Sequence, residues 1–515
     1  MSAEQKAVDN IAVYQLIDQP LIDASALEQD VTLEADVVVV GSGAGGGTTA
    51  EILAQAGLKV VVLEAGGYYT ARDFSQNEYH AMPMLYQDAG LQATKDAGIL
   101  VLQGKAVGGS TVVNWTTSIR TPDQTLAHWQ KEHQVKGASK AEMQPWFEKA
   151  EKRLNIGEWR SFPPNENNAL LAKGCQALGL SYRQMKRNVS GCANTGLCGL
   201  GCPVNAKQSM LVTTLPAAMK AGASIVYRAK AMRVTTEKGR VTGVQAQAYN
   251  SVGTALSSRK IQIKTKQVVL AAGAIRSPAL MMRSAIPDLS GTLGRRTFLH
   301  PVSGSLAVMP QPVKGFHGAP QSVYSDAFLW PEQGMGYKLE VAPMQPVTVN
   351  VMLSRSIGEQ HRQMAERFQD LHSQIALVRD GFQEHEQGGT VELDGDAREK
   401  LDYPIGVELR DVAVSALRQM AELQFAAGAE QVTPVQIAAK PYRSLAALEG
   451  DLDNIKADGI SLVSAHVMGG SQMGATANDS VVDSFGRHHL VEGLHVFDGS
   501  IFPSSIGANP QLSIY

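Results

Sequence analysis

The sequence predicts an α/β fold of two domains, one of them built on a parallel sheet with helices on its faces. Three observations carry that reading. The chain has 515 residues, and single hydrophobic cores stop growing beyond about 250–300 residues. A continuous β-branched run, Val37–Val40, opens into a glycine-rich loop at Gly41–Gly47. A second such run, Val60–Leu63, ends on Glu64.

Uninterrupted apolar runs of this length suit parallel strands buried on both faces. Between the two runs stands G-x-G-x-x-G, with Gly41, Gly43 and Gly46 at its fixed positions, followed by the helical stretch Thr48–Ala54. Strand, glycine loop, helix, strand and acid fall in the order of a dinucleotide site. Gly41 permits the tight turn, Gly43 lets backbone approach a pyrophosphate, and Gly46 lets helix and strand pack closely. The pyrophosphate then meets a helix N-terminus, where free N–H groups favour negative charge. Glu64 stands where a carboxylate accepts hydrogen bonds from an adenosine ribose.

Composition narrows the partners. With 44% hydrophobic and 18% charged residues the chain can bury a large core. Its 46 basic and 49 acidic residues form no long block of either sign, so a nucleic-acid surface is not expected and a small molecule is. Met1–Pro20 carries Glu4, Asp9 and Asp18 and lacks the pattern of a signal peptide. No apolar run approaches the roughly 20 residues that span a bilayer. The expected location is cytoplasmic, unless a partner subunit carries the chain elsewhere.

Four further blocks extend the pattern: Glu64–Gly67; Gly104–Asn114, with Gly108, Gly109, Ser110 and Asn114; Lys266–Pro278, with Ala272; and the carboxy-terminal stretches Ser464–Gly470, Val496–Ser500 and Gly507–Pro510. Together they resemble the GMC (glucose–methanol–choline) oxidoreductase family. That resemblance implies FAD as cofactor and a Rossmann-like FAD-binding domain assembled from roughly residues 30–120, 215–295 and 460–515. It also implies an α+β substrate domain with an antiparallel sheet from 121–214 and 296–459. Gly41, Gly43, Gly46, Glu64, Gly108, Gly109, Ser110, Asn114, Ala272, Asp498 and Pro510 would hold the cofactor. Within the substrate domain, Ala416–Ala426 has helical apolar spacing, and Val347–Val351 alternates as a strand facing a cavity would. The family pattern continues past its asparagine–proline pair into a final helix, whereas this sequence stops at Tyr515.

Oxidising an alcohol needs a base for the hydroxyl proton and an acceptor for the hydride, and a neutral imidazole is the usual base. By resemblance His466 is that base, flavin N5 the acceptor, and Asn509 the amide that donates to the substrate oxygen. The asparagine places the ending with those of cholesterol and long-chain alcohol oxidases, which favours an apolar alcohol. His80, His128, His133, His361, His372 and His385 sit among polar residues and read as solvated, and His488 and His489 as a turn.

Cys192, Cys198 and Cys202 crowd into eleven residues with glycines between them and a proline after. The loop resembles that of FAD glucose dehydrogenase catalytic subunits, which implies a three-iron, four-sulfur cluster. It also resembles long-chain alcohol oxidases, where no cluster is implied. Three buried thiols or a single disulfide are the plainer readings, and Cys175 reads as core. Three functions therefore stand open. One is oxidation of a primary or secondary alcohol by FAD, as a dehydrogenase or an oxidase, with quinone, cytochrome or oxygen as acceptor. Another is a sugar or polyol dehydrogenase passing electrons through the cluster to a quinone or cytochrome, and the third an FAD-containing lyase without net redox chemistry.

Overall fold

A computed structural model of the chain describes residues 20–353, 358–436, 440–452, 454–455 and 459–515. The amino-terminal residues Glu4, Asp9 and Asp18 lie outside the described residues.

Six parallel strands form the first sheet, in the order Leu21–Asp23, Ser224–Tyr227, Val60–Leu63, Val37–Val40, Val268–Leu270 and Leu494–Val496. The valine runs lie at its centre because both faces are covered. Val37 and Val39 point to a core shared with helices Ala44–Gln55 and Thr214–Lys220. Val38 and Val40 point to the opposite core, shared with an antiparallel sheet of Ala229–Glu237, Arg240–Tyr249, Leu256–Lys264 and, pairing parallel at its edge, Val31–Glu34. None of the four is more than 5% exposed, and each contributes roughly 1.5–3 kcal/mol by burial. The strand that launches the glycine loop is therefore among the most firmly held in the molecule.

A second sheet, mainly antiparallel, runs in the order Tyr337–Glu340, Leu371–Val378, Val302–Val308, Leu462–Ser464 and Ile99–Val101, with Gln431–Pro434 also pairing Val302–Val308. The helix expected around Ala416–Ala426 runs over Val407–Ala426 and packs its apolar stripe on this sheet. Cys175 is buried in the same core, on helix Glu166–Ala177.

Two expectations are corrected. Val347–Val351 belongs to helix Pro346–Leu353, not to a strand. Proline in the first turn suits a helix start, and the carboxylate of Glu78, from helix Glu78–Leu85, accepts from the backbone N–H groups of Val347 and Thr348 at 2.7 and 3.2 Å. A cap from so far away in sequence leaves no local trace. His372 is fully buried on its strand, not solvated, and its Nδ1 lies 2.8 Å from Asn167 Oδ1. Burial pushes its pKa down to about 3.

Candidate active site

Glycine at Gly41, Gly46 and Gly109 is required by contact. Gly41 has φ +101°, and a Cβ there would stand 2.3 Å from the Ala271 carbonyl oxygen. A Cβ on Gly46 would stand 1.9 Å from the Gly41 oxygen, so the loop helix could not rest on its strand. The second glycine turn backs onto the first: a Cβ on Gly109 would lie 2.7 Å from Gly43 Cα. Ser42 locks the two turns together. Its hydroxyl accepts from the Gly108 N–H at 2.9 Å and donates to Glu64 Oε2 at 2.5 Å. Glu64 also accepts from the N–H groups of Ser42 and Gly66, at 3.1 and 2.7 Å. Burial raises the Glu64 pKa, and these hydrogen bonds oppose the rise.

The later blocks close around the same space. The Asp498 carboxylate accepts from the Gly273 N–H at 2.8 Å, from the Ser277 hydroxyl at 2.5 Å and from the Ser500 N–H at 2.8 Å. Ser277 in turn accepts from the Ala272 N–H, so the Ala272 turn is tied to the carboxy-terminal block. Ser110 accepts from the Gly104 N–H, and Asn114 donates its amide to Gln511, just after Pro510. A cavity of about 730 Å³ runs between these groups. Gly41, Gly43, Glu64, Gly109, Ser110, Asn114, Ala272, Asp498 and Pro510 line it, as do His466 and Asn509. Gly46 and Gly108 act from behind the wall. Val302, Met352, Ile375, Leu377 and Val435 add an apolar stretch to its wall, with Val302 and Leu377 opposite one another on the antiparallel sheet.

The expected base sits in a pair of histidines. His466 follows the strand Leu462–Ser464, and its Nδ1 lies 3.1 Å from Nδ1 of His300. His300 is fully buried with φ +48°, a conformation uncommon outside glycine. The Asp380 carboxylate holds it there by accepting from the N–H groups of Leu299 and His300 at 3.0 and 3.1 Å, and it also accepts the Tyr403 hydroxyl at 2.7 Å. Burial nonetheless raises the Asp380 pKa to about 6. Ser464 ties the two histidine segments together, donating to the Leu299 carbonyl and accepting from the His466 N–H. Burial first, then the charge of Lys338, lowers the His466 pKa to about 3. Lys338 itself donates to Asn509 Oδ1 at 2.6 Å and pairs with Glu340 at 2.5 Å.

His300, Asp380 and Lys338 escape a reading of the sequence. Tyr337-Lys338-Leu339-Glu340 alternates as a half-solvated strand does, yet all four residues are buried. For His300 the available signal was its neighbourhood, Phe298-Leu299-His300-Pro301, which is apolar on both sides.

Cys192, Cys198 and Cys202 line a second, small cavity together with Arg187 and Lys207. The spacing thus does bring the three thiols to one place. As placed, they do not fit an iron–sulfur cluster. The cavity measures about 20 Å³, room for about one water. Among the described residues no three Cys, His, Asp or Glu side chains are grouped to hold a metal. The ground beside Cys198 Sγ is taken by the Arg187 guanidinium at 3.5 Å, and the buried Lys207 ammonium sits on the Cys198 carbonyl at 2.7 Å. Burial raises the Cys192 pKa, disfavouring the thiolate that iron requires.

Residues 82–302 and 385–515 match family models described as GMC oxidoreductase, and residues 36–89 match one described as FAD binding domain. An uncharacterized GMC-type oxidoreductase of Mycobacterium tuberculosis is 33% identical over 484 residues, covering 93% of this chain and 74% of that one. The chain belongs to the GMC oxidoreductase family. This GMC oxidoreductase is also 33% identical over 511 residues to a long-chain-alcohol oxidase of Arabidopsis thaliana, spanning 94% of its own length and 66% of the relative's. A cholesterol oxidase of Mycobacterium tuberculosis is 22% identical over 544 residues. Among solved structures, formate oxidase from Aspergillus oryzae superposes with TM-score 0.70 at 14% identity, covering 95% of this chain and 97% of that one. Pyridoxine 4-oxidase from Mesorbium loti superposes with TM-score 0.67 at 16% identity, covering 93% and 97%. These share the fold. The protein is an FAD-binding oxidoreductase of mixed α/β architecture, and none of its described helices is long and apolar enough to cross a membrane.

Proposed function

We propose that this GMC oxidoreductase converts a primary or secondary alcohol with an extended apolar chain to the carbonyl compound, with oxygen as the final electron acceptor. One observation carries the reading: a histidine held neutral and an asparagine amide share the wall of a cavity that is also lined by the glycine loops and by an apolar stretch.

FAD, when bound, supplies the hydride acceptor. Glu64 and the glycine turns would hold its ADP half, Ser110 and Asn114 would flank the ring, and Asp498 would reach the ribityl chain. His466 commits Nδ1 to His300. In the tautomer that serves as a base, His466 Nδ1–H donates to His300 Nδ1 and leaves the Nε2 lone pair for the substrate hydroxyl. An imidazole with a pKa near 3 is a weak base toward an alcohol. It suffices if it takes the proton while the carbinol carbon loses its hydride, because the hydroxyl then becomes as acidic as a protonated carbonyl. The Asn509 amide donates to the same oxygen and holds it in line. The apolar stretch selects the chain of the alcohol, in keeping with similarity to long-chain-alcohol oxidases.

The test is anaerobic mixing of the holoprotein with a series of primary alcohols of increasing chain length. Bleaching of the oxidised-flavin absorption, faster for longer chains, followed by recolouring on admission of oxygen, supports the reading. A flavin that no alcohol bleaches would overturn it and favour the lyase.

A further inference from the structure

The proposed chemistry needs the Asn509 amide to present its N–H side to the substrate oxygen, yet an asparagine side chain before a proline has two nearly isosteric orientations, and only one of them donates. The structure contains a device that decides between them. We infer that Lys338 is a positioning residue that locks the Asn509 amide with its nitrogen free for the substrate, an inference that rests on the proposed role of Asn509.

Lys338 lies on the strand Tyr337–Glu340, where its backbone is opposite Leu377. Its side chain is 2% exposed and does not line the cavity, whereas Asn509 does. It stands behind the asparagine. The ammonium nitrogen is 2.6 Å from Asn509 Oδ1. An ammonium only donates hydrogen bonds, so the atom facing it must be the amide oxygen. Asn509 Nδ2 has no partner among the described residues. The lysine is itself held in place. Glu340 pairs with it at 2.5 Å and is fixed in turn by Gln321 Nε2, which donates to Glu340 Oε2 at 2.7 Å. The Tyr324 ring lies under the ammonium at 5.2 Å. A buried charge held by a carboxylate, an amide and a ring has no room to exchange partners, so the asparagine cannot turn over without stranding a buried cation.

Removing Lys338 alone would strand the Glu340 carboxylate and risk misfolding. The test therefore uses Lys338→Met/Glu340→Gln, which removes both charges and retains a partner for Gln321. In the holoprotein this pair should lower the rate of flavin reduction by roughly tenfold to a hundredfold, with little change in the alcohol concentration giving half-maximal rate. In an Asn509→Ala background the same pair should have almost no further effect, because Lys338 acts through the asparagine. Equal losses in both backgrounds would overturn the inference. A readout independent of turnover comes from high-resolution crystal structures of wild type and pair variant. The amide should keep Oδ1 on Lys338 in the wild type and turn over or split between orientations in the variant. An unchanged amide in the variant would overturn the inference. If no alcohol reduces the wild-type flavin, the proposed function fails, and the amide orientation alone still decides the role of Lys338.

Discussion

Replacing Ser42 with alanine removes one hydroxyl that serves two loops. In the native protein it accepts from the Gly108 N–H at 2.9 Å and donates to Glu64 Oε2 at 2.5 Å. The first is an ordinary bond worth roughly 0.5–1.5 kcal/mol, the second runs to a buried carboxylate and is worth roughly 1.5–3 kcal/mol. The Glu64 bonds from the two backbone N–H groups survive the change. The net loss is therefore about 2–4.5 kcal/mol, concentrated at the junction of the two glycine turns. Because that junction is the proposed ADP site, the same loss appears in cofactor retention, at about tenfold per 1.4 kcal/mol. With its strongest opposing hydrogen bond gone, Glu64 also moves to a higher pKa. The assay is paired thermal melts, one following release of flavin fluorescence and one following secondary structure. The expected result is flavin release well before the global melt, with FAD dissociation accelerated on the order of tenfold to a thousandfold. Coincident, unshifted transitions in Ser42→Ala would refute the claim that Ser42 couples the loops.

Further outcomes follow from other parts of the structure. His372 is neutral in the native state down to about pH 3 but takes up a proton near pH 6.5 when unfolded. Stability it contributes is thus complete above pH 6.5 and lost as pH falls toward 3, by about 1.4 kcal/mol per pH unit. Denaturation of His372→Gln between pH 6 and 4 should be less pH-dependent than wild type by that slope, and an identical slope would exclude the effect. Glu78→Ala removes the cap of helix Pro346–Leu353. Amide exchange there should speed by roughly threefold to thirtyfold, as loss of a cap worth about 1 kcal/mol or slightly more requires; unchanged exchange would show that the cap is idle. Metal analysis of anaerobically purified protein should find no stoichiometric iron, and about three irons per chain, one per cysteine ligand, would contradict the reading of the Cys192, Cys198 and Cys202 pocket.

Much of the cofactor side was legible in the sequence because its physics is local. The valine runs, the glycines and the acid after the second strand each satisfy a short-range demand of strand burial, turn geometry or close approach, and the strands stand where those demands place them. The cysteine spacing left a cluster, free thiols and a disulfide open, and the three side chains line one small cavity. The spacing could not tell that a guanidinium and an ammonium fill the ground beside them. What stayed hidden depends on contacts between distant segments. Lys338 meets Asn509 across 171 residues, and His300 meets His466 across 166. Nothing near Lys338 distinguishes an inward charge from an outward one until Asn509 and Glu340 are seen around it. Val347–Val351 shows the same effect in reverse. Its β-branched alternation favours a strand, and a carboxylate 269 residues away from Val347 caps it as a helix.

In the proposed reaction His466 takes the hydroxyl proton while hydride leaves the same carbon. Anaerobic stopped-flow reduction of the bound flavin by a long-chain primary alcohol, protiated or dideuterated at its carbinol carbon, tests it in wild type and His466→Ala. A primary isotope effect on flavin bleaching is expected in the wild type, and a His466→Ala protein should keep its FAD but be reduced on the order of 10²–10⁴-fold more slowly. Reduction of His466→Ala at the wild-type rate, or no reduction of wild type by any alcohol, would contradict it.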